Sequence, residues 1–189
     1  MAYIDSEGRK SKMKVSYHMN FDKGYSGALN KYGGLPTHLP SQWPQIDGCN
    51  LSFLFQIYCD QEKLVIPDTL CIQGYQLIED GDYNSDIVIM QLPLNAQRNI
   101  RNEGIRDFTL EEGDILFQKV FEYDEYYENI DRGINVFSSK LQGWYPEDEF
   151  SEQRKFLGWL NDEEPFCIGA NNKLCLFLDP VNKIATDYY

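Results

Sequence analysis

The chain has 189 residues, which suits one domain, and its 30 acidic and 17 basic side chains give a net charge of −13. This sign opposes binding of nucleic acids or anionic membranes through phosphate contacts. The N-terminus lacks an apolar signal segment, no apolar run is long enough to span a bilayer, and the five cysteines form no Cys-x-x-Cys pair, so we expect a cytoplasmic protein with reduced thiols.

Alternating and apolar runs predict strands along most of the chain. We expect an edge strand over 12–18, a buried strand over 51–59, further strands over 69–77, 87–92 and 115–123, and closing strands over 166–168 and 174–178. The polar residues 93–109 favour neither state. The one predicted helix is 151–160, in which Phe156, Leu157 and Leu160 share a face and Ser151 can cap the N-terminus.

This pattern predicts an α+β fold that is dominated by strands in mainly antiparallel sheets. The segment Lys31-Tyr-Gly-Gly-Leu-Pro36 recurs loosely as Lys140-Leu-Gln-Gly-Trp-Tyr-Pro146. The recurrence predicts two related halves, about 12–110 and 111–189, that pack into a single domain over 1–189.

The segment 31–57 carries the most distinctive pattern in the chain. Glycines permit positive φ and prolines fix φ, so this segment predicts a shaped turn that leads into the buried strand. We expect at least one of Gly33 and Gly34 to have positive φ, and Trp43 to be mostly buried. The predicted structural motif is Gly33, Gly34, Pro36, Trp43, Pro44, Phe53 and Gln56.

The order of these residues resembles the Gly-Gly-x-Pro…Trp-Pro…Leu-x-Phe-Leu-x-Gln-Ile signature of the YwqG-like family of bacterial proteins. Proteins of this family look internally duplicated, and one branch resembles immunity proteins, which bind a cognate toxin in the cytoplasm of its producer. The resemblance therefore implies the fold of the first half and a protein partner. Several relatives carry a Cys-x-x-Cys after the Trp-Pro pair, where this chain has Ile46 and Cys49, so the resemblance implies no metal site here.

The negative charge is concentrated in the second half, where residues 111–189 hold 17 acidic and 7 basic side chains. Carboxylates interleaved with tyrosines suit docking on a basic protein, although a solvated loop or strand edge is the alternative interpretation. The predicted partner-binding residues are Glu122, Asp124, Glu125, Tyr126, Tyr127, Glu128, Asp131, Glu147, Asp148 and Glu149.

The sequence supports no catalytic constellation. It contains two histidines, His18 and His38, no metal-binding motif, and no glycine spacing typical of a phosphate-binding loop. We therefore predict no enzymatic activity, no cofactor and no bound metal.

The leading hypothesis is a cytoplasmic immunity protein that neutralises a basic, nuclease-like toxin encoded by a neighbouring gene. One alternative is a small-ligand-binding protein or an enzyme that uses the groove between the two halves. Another is an adaptor or storage-type binding protein without a toxin partner.

Overall fold

The fold is nearly all β in a computed structural model of the chain, so the predicted α+β class is wrong. The structure describes residues 2–4, 10–79, 82–83, 86–106, 110–123, 126–135, 137–145, 153–162, 165–166, 168 and 173–188. Within these residues, no helix is long and apolar enough to cross a membrane.

Every regular element in the described residues of the first half is a strand. They are β1 (Ala2–Ile4), β2 (Lys10–Lys23), β3 (Lys31–Tyr32), β4 (Gln45–Ile46), β5 (Cys49–Asn50), β6 (Ser52–Tyr58), β7 (Thr69–Gln76), β8 (Ile78–Glu79), β9 (Asp82–Tyr83) and β10 (Val88–Pro93). The second half contains β11 (Gly113–Tyr123), helix α1 (Tyr126–Asp131), β12 (Lys140–Gln142), β13 (Lys155–Asn161), β14 (Lys173–Leu178) and β15 (Ile184–Tyr188).

Most strands join one antiparallel sheet with the order β10-β7-β6-β3-β11-β2-β12-β13-β14-β15, and β1 pairs with β2. The two ends of this sheet approach each other. The backbone N–H of Ile87 donates to the hydroxyl of Tyr188 at 2.9 Å, and Nε2 of Gln91 donates to the carbonyl of Asn182 at 3.1 Å. The sheet is therefore nearly closed and barrel-like, and its apolar side chains form the main core.

The two longest strands are exchanged between the halves. Strand β2 of the first half pairs with β12, where His18 lies opposite Lys140, and β11 of the second half pairs with β3, where Asp114 lies opposite Lys31. The remaining strands then follow in matching order, β3-β6-β7-β10 on one side and β12-β13-β14-β15 on the other. An internal duplication would produce this arrangement. The duplication itself stays a prediction about the origin of the chain.

Two smaller apolar clusters accompany the main core. Trp43 packs against Leu51, Phe53 and Tyr75 in the first half. Trp144 and Tyr145 pack against Phe156, Trp159, Cys175 and Phe177 in the second half. Each half thus carries one aromatic cluster outside the main core.

The predicted helix over 151–160 is wrong, because β13 occupies most of this segment. The pairing of β13 with β14 shifts between Phe156 and Gly158, and this irregularity changes the alternation of side chains along the strand. Leu157 and Leu160 consequently join the main core, while Phe156 and Trp159 join the second cluster. The spacing of Phe156, Leu157 and Leu160, which is typical of one face of a helix, is therefore produced here by an irregular strand.

Two other strand predictions also differ from the structure, and one strand was not predicted. The segment 12–18 belongs to β2, which lies in the middle of the sheet rather than at its edge. Phe166 and Ile168 are buried but lie outside the strands. Strand β15 has no counterpart among the predictions.

Candidate functional site

The acidic segment 122–131 starts in β11 and continues into α1. The side chain of Asn129 fastens the helix to the strand, because its Oδ1 accepts the N–H of Tyr123 at 2.7 Å and its Nδ2 donates to the Tyr123 carbonyl at 2.8 Å. Asp131 is exposed beside Ile130, whose side chain is 46% exposed. A short, anchored helix therefore presents an acidic and an apolar residue to solvent.

Several predicted partner-binding residues cannot be placed on this surface. Asp124, Glu125, Glu147, Asp148 and Glu149 lie outside the described residues. The backbone of Tyr126, Tyr127 and Glu128 lies in α1, and the structure does not describe their side chains.

Glu122 lies in the interior, with 0% exposure. The prediction that Glu122 contributes to an acidic surface is therefore wrong. Its carboxylate accepts hydrogen bonds from Nζ of Lys140 at 2.7 and 2.9 Å, from Nε2 of His18 at 2.9 Å and from the backbone N–H of Trp144 at 2.6 Å. Three segments that are distant in sequence thus meet at one carboxylate.

The environment of this cluster changes the ionisation of both charged partners. Burial opposes the ionised form of Glu122, but the hydrogen bonds from His18 and Lys140 and the charge of Lys140 outweigh it and lower the pKa of Glu122. Burial lowers the pKa of Lys140 to about 8, and the attraction of Glu122 offsets this effect only in part. Because Glu122 and Lys140 are both 0% exposed, the cluster is closed to solvent and its charges are compensated inside the protein.

The Gly-Gly turn confirms the prediction of positive φ, with 64° at Gly33 and 65° at Gly34. A Cβ on Gly33 would lie 2.5 Å from the carbonyl oxygen of Glu111, so the chain needs glycine at this close approach. Pro36, which follows this turn, and Pro44 are both buried.

Trp43 is mostly buried, as predicted, and its indole N–H donates to the carbonyl of Leu51 at 2.8 Å. Its ring packs edge-on against Tyr75, which also contacts the buried Phe53. Trp43 therefore anchors the loop before β6 to the sheet.

Gln56 fixes the same loop from within β6. Its Oε1 accepts the backbone N–H of Thr37 at 2.9 Å, and its Nε2 donates to the carbonyl of Leu29 at 2.7 Å and to the hydroxyl of Thr37 at 2.6 Å. Gln56 is fully buried, so these bonds satisfy an amide that would otherwise be costly to bury.

A polar cavity of about 640 Å³ opens beside the Gly-Gly turn. Among the residues that the structure describes, the charged side chains that line it are Lys31, Arg98, Arg106 and Glu112. Nζ of Lys31 lies 2.5 Å from Oε1 of Glu112 and 4.5 Å from the centroid of the Tyr25 ring. A protein with a large negative charge thus gathers three cations around one opening.

Backbone pairing holds the loop that supplies the two arginines. The N–H of Asn99 donates to the carbonyl of Thr37 at 2.8 Å, and Nδ2 of Asn99 donates to the carbonyl of Pro36 at 3.0 Å. Arg98 also forms an isolated bridge with His38. Burial and the charge of Arg98 lower the pKa of His38, which favours the neutral imidazole.

A second opening of about 420 Å³ lies where the two ends of the sheet meet. Thr69 and Gln91 line it from the first half, and Asn182 and Lys183 from the second. This opening is thus lined by residues of both predicted halves.

The described cysteines are unpaired. Cys71 and Cys175 are buried, Cys59 is partly buried, Cys49 is exposed, and Cys167 lies outside the described residues. Burial raises the pKa of Cys59 to about 11 and that of Cys71 to about 12, so both thiols are protonated at neutral pH. No group of three or more His, Cys, Asp or Glu side chains within the described segments is arranged to hold a metal ion.

Comparison of the chain with protein-family models, with curated proteins and with solved structures found no match. The resemblance to the YwqG-like family therefore stays a prediction from the residues of the first half.

Proposed function

We propose that this chain is a cytoplasmic immunity protein that binds and neutralises a basic, nuclease-like toxin. The observation that carries the proposal is the concentration of negative charge in residues 111–189. A nuclease needs a basic cleft to hold phosphates, and an acidic surface complements that cleft.

The docking surface that we propose is centred on α1 and the acidic residues next to it. Glu122 is not part of it, because its carboxylate is bound inside the protein. Asp131 supplies exposed charge, Ile130 supplies exposed apolar area, and Asn129 fixes the helix to β11. Charge of this kind accelerates association, while tight binding also requires desolvated apolar anchors over about 1,600 Å² of interface.

Co-expression with the product of the neighbouring gene tests the proposed activity. We expect that product to stop growth of the host when expressed alone and to be harmless when this chain is also present. A product that is not toxic, or a toxicity that this chain does not relieve, would contradict the proposal.

Binding kinetics against the same product test the surface. Reversing Asp124, Glu128 and Asp131 to Lys should slow association about tenfold or more at low salt, because electrostatic steering is lost. The matched control reverses Asp22, Asp82 and Glu103, three exposed acids of the first half, to Lys. Equal on-rates for the two triple variants would show that the location of the charge is irrelevant and that α1 is not the docking surface.

A further inference from the structure

The long strand β11 is fully paired on one side and mostly unpaired on the other. Strand β2 pairs with β11 over its whole length, from Gly113 to Tyr123. On the opposite side, β3 pairs only with Gly113 and Asp114. Among the described strands, no other one pairs with β11. Most of β11 is therefore an open strand edge, although the strand lies in the middle of the sheet order.

Two asparagines mark the ends of this open edge. At one end, the N–H of Ile115 donates to the carbonyl of Asn30 at 3.0 Å. At the other end, the N–H and the carbonyl of Tyr123 are both bonded to the side chain of Asn129. The register of β11 with β2 continues without a shift between these two points. Ile115 and Tyr123 therefore direct their backbone groups to the same side of the strand.

Three residues between these ends present free backbone groups. In an antiparallel ladder, alternate residues direct their N–H and C=O groups to opposite sides of the strand. Phe117, Lys119 and Phe121 alternate with Ile115 and Tyr123, so their backbone groups point to the open side. Within the part of the chain that the structure describes, no hydrogen bond is made to these groups. The edge can thus accept a further strand.

The side chains along the edge favour association rather than solvation. Leu116 is 48% exposed and Phe121 is 46% exposed, and the strand contains neither proline nor a bulge. Long, flat edges with exposed apolar residues promote strand addition, and lysine is one of the residues that oppose it. Lys119 is such a lysine, but its Nζ lies 2.8 Å from Oε1 of Glu62. Its charge is therefore partly compensated within the chain.

The register of the edge disfavours a second copy of this chain as the added strand. The twofold pairing that fits between the two asparagines is centred on Lys119, and it would place Lys119 opposite its counterpart. Like charges directly opposite each other are destabilising. Shifting the centre by one residue in either direction would require the N–H of Ile115 or Tyr123, which is already bonded. A segment with a carboxylate opposite Lys119 matches the edge better.

We propose that the open edge of β11 binds an extended segment of another protein as an added antiparallel strand. Five residues of that segment span the edge, from the one opposite Phe121 to the one opposite Phe117. The first and last carry apolar side chains, which pack beside these two rings, and the central one is an Asp or Glu opposite Lys119. The site does not depend on the proposed immunity function, because the segment can belong to any protein that displays this pattern.

Nuclear magnetic resonance of the full, ¹⁵N-labelled chain tests the edge with the synthetic peptide acetyl-Phe-Val-Glu-Thr-Phe-amide. We expect saturable shifts of the amide signals of Phe117, Lys119 and Phe121, because these N–H groups gain an acceptor. The amides of Gln118 and Val120 point to β2 and should shift less. The absence of saturable shifts up to about 2 mM peptide would overturn the proposal.

Two methylated peptides test whether the peptide adds as a strand. N-methylation of the central Glu removes an N–H that would face β11, and it should weaken binding about tenfold or more. N-methylation of the Thr is the matched control, since that N–H points away from the sheet, and binding should stay within about threefold of the unmodified peptide. Equal affinities of the two methylated peptides would overturn strand addition.

Lys119→Pro and Lys119→Thr make the same comparison on the protein. Both variants lose the contact with Glu62, but only the proline lacks the N–H on the open side, where proline is tolerated in an edge strand. We expect Lys119→Thr to weaken peptide binding at most about fivefold, through loss of an exposed charge pair, and Lys119→Pro to weaken it further by about tenfold. Equal affinities of the two folded variants would overturn the proposal, and the methylated peptides decide it on the unmodified chain if Lys119→Pro does not fold.

Sedimentation of the chain alone separates this assignment from self-association. We expect a monomer, because the register that fits the edge places like charges opposite each other. A dimer that Lys119→Pro disrupts and Lys119→Thr retains would assign the edge to a second copy and overturn the proposal.

Discussion

Lys31 in β3 and Lys140 in β12 lie at matching points of the sheet, and each pairs with a glutamate in a different environment. Lys140 and Glu122 are both fully buried, and the pair is sealed by the segment that carries Trp144. Lys31 pairs with Glu112, whose side chain is 34% exposed and borders a polar cavity. The same backbone plan therefore supports a closed charge pair at Lys140 and an accessible charge pair at Lys31.

The residues after each turn account for this difference. In the second half, Trp144 packs against Trp159, and Tyr145 stacks on Phe156 with 4.4 Å between ring centroids. In the first half, Leu35 and Pro36 follow the glycines and line the cavity. Large aromatic side chains exclude water from one pair, while smaller residues leave the other in contact with it.

Glu122→Gln should give the largest effect that separates the two pairs. The substitution leaves Lys140 buried without its counter-charge, and we expect it to lower the free energy of unfolding by about 3–5 kcal/mol. Glu112→Gln should cost about 1 kcal/mol or less, because that pair is partly solvated. Urea unfolding measures both variants, and equal losses would show that the two pairs contribute alike.

The double variant Glu122→Gln/Lys140→Met tests the cause of this loss. Removing both charges relieves the unpaired ammonium, so the double variant should recover a large part of the stability that Glu122→Gln loses. A double variant that is less stable than Glu122→Gln alone would contradict the explanation by an uncompensated charge.

Gly143→Ala should be more destabilising than Gly34→Ala, although both glycines have positive φ. A Cβ at Gly143 would clash with the carboxylate of Glu122 and lie 2.5 Å from Cβ of Ser16, and both groups are fixed in the interior. We expect a loss of about 2–4 kcal/mol, from backbone strain together with overpacking.

A Cβ at Gly34 would meet the carboxyl end of the partly exposed Glu112, which can move away. The loss for Gly34→Ala should therefore be about 1–2 kcal/mol, mainly from positive φ. Thermal unfolding of the two variants, compared with wild type, distinguishes these costs. A larger loss of stability for Gly34→Ala than for Gly143→Ala would contradict the greater rigidity of the surroundings of Glu122.

The pH dependence of stability should also carry the signature of the closed pair. Burial lowers the pKa of Lys140 to about 8 in the folded state from an ordinary value of 10.5. Between these two values the unfolded chain binds more protons at this residue, so its contribution to stability rises with pH. From pH 8 to 10.5, the free energy of unfolding of the wild type should rise by about 1–3 kcal/mol relative to that of Lys140→Met.

Glu122 has a dependence of the same sign, but at acidic pH. Burial alone would raise its pKa, but hydrogen bonds from His18 and Lys140 lower it, so its stabilisation is present above the ordinary value and is lost as pH falls through the folded pKa. The midpoint of urea unfolding, measured across pH, follows both the alkaline dependence of Lys140 and the acidic dependence of Glu122. A constant difference between wild type and Lys140→Met from pH 8 to 10.5 would contradict the lowered pKa of Lys140.

Gln142→Gly should have the smallest effect. Gln142 has a φ of 60° and occupies the place that Gly33 has in the first half. Glycine would relieve about 1 kcal/mol of strain, but it would remove the hydrogen bonds from Nε2 of Gln142 to the carbonyls of Glu62 and Lys63. Chemical denaturation should show a net change in the free energy of unfolding below about 1 kcal/mol. A larger loss would show that the two hydrogen bonds contribute more than the backbone strain costs.

Local features of the sequence predicted the parts of the fold that depend on local chemistry. The continuous apolar run of β6 and the positive φ at Gly33 and Gly34 follow from residues that are adjacent in the chain. The spacing of Phe156, Leu157 and Leu160 misled the helix prediction because an irregular strand reproduces it.

The sites depend on partners that are distant in sequence, and this limited their prediction. Glu122 belongs to an acidic run, but Lys140 and His18 make it an interior residue. The cavity likewise combines Lys31 with Arg98 and Arg106 from a segment without clear periodicity. The presence of three arginines over 98–106 in an acidic chain was a signal that could have drawn attention to it.

The exchange of β2 and β11 has a consequence for synthesis of the chain on the ribosome. When the first half has emerged, β3 and β2 still lack β11, the strand that lies between them in the finished sheet. The early chain therefore keeps unpaired strand edges until residue 123 has been released, and such edges promote association between chains. Pausing of translation between β10 and β11 would prolong this vulnerable state and lower the yield of native protein.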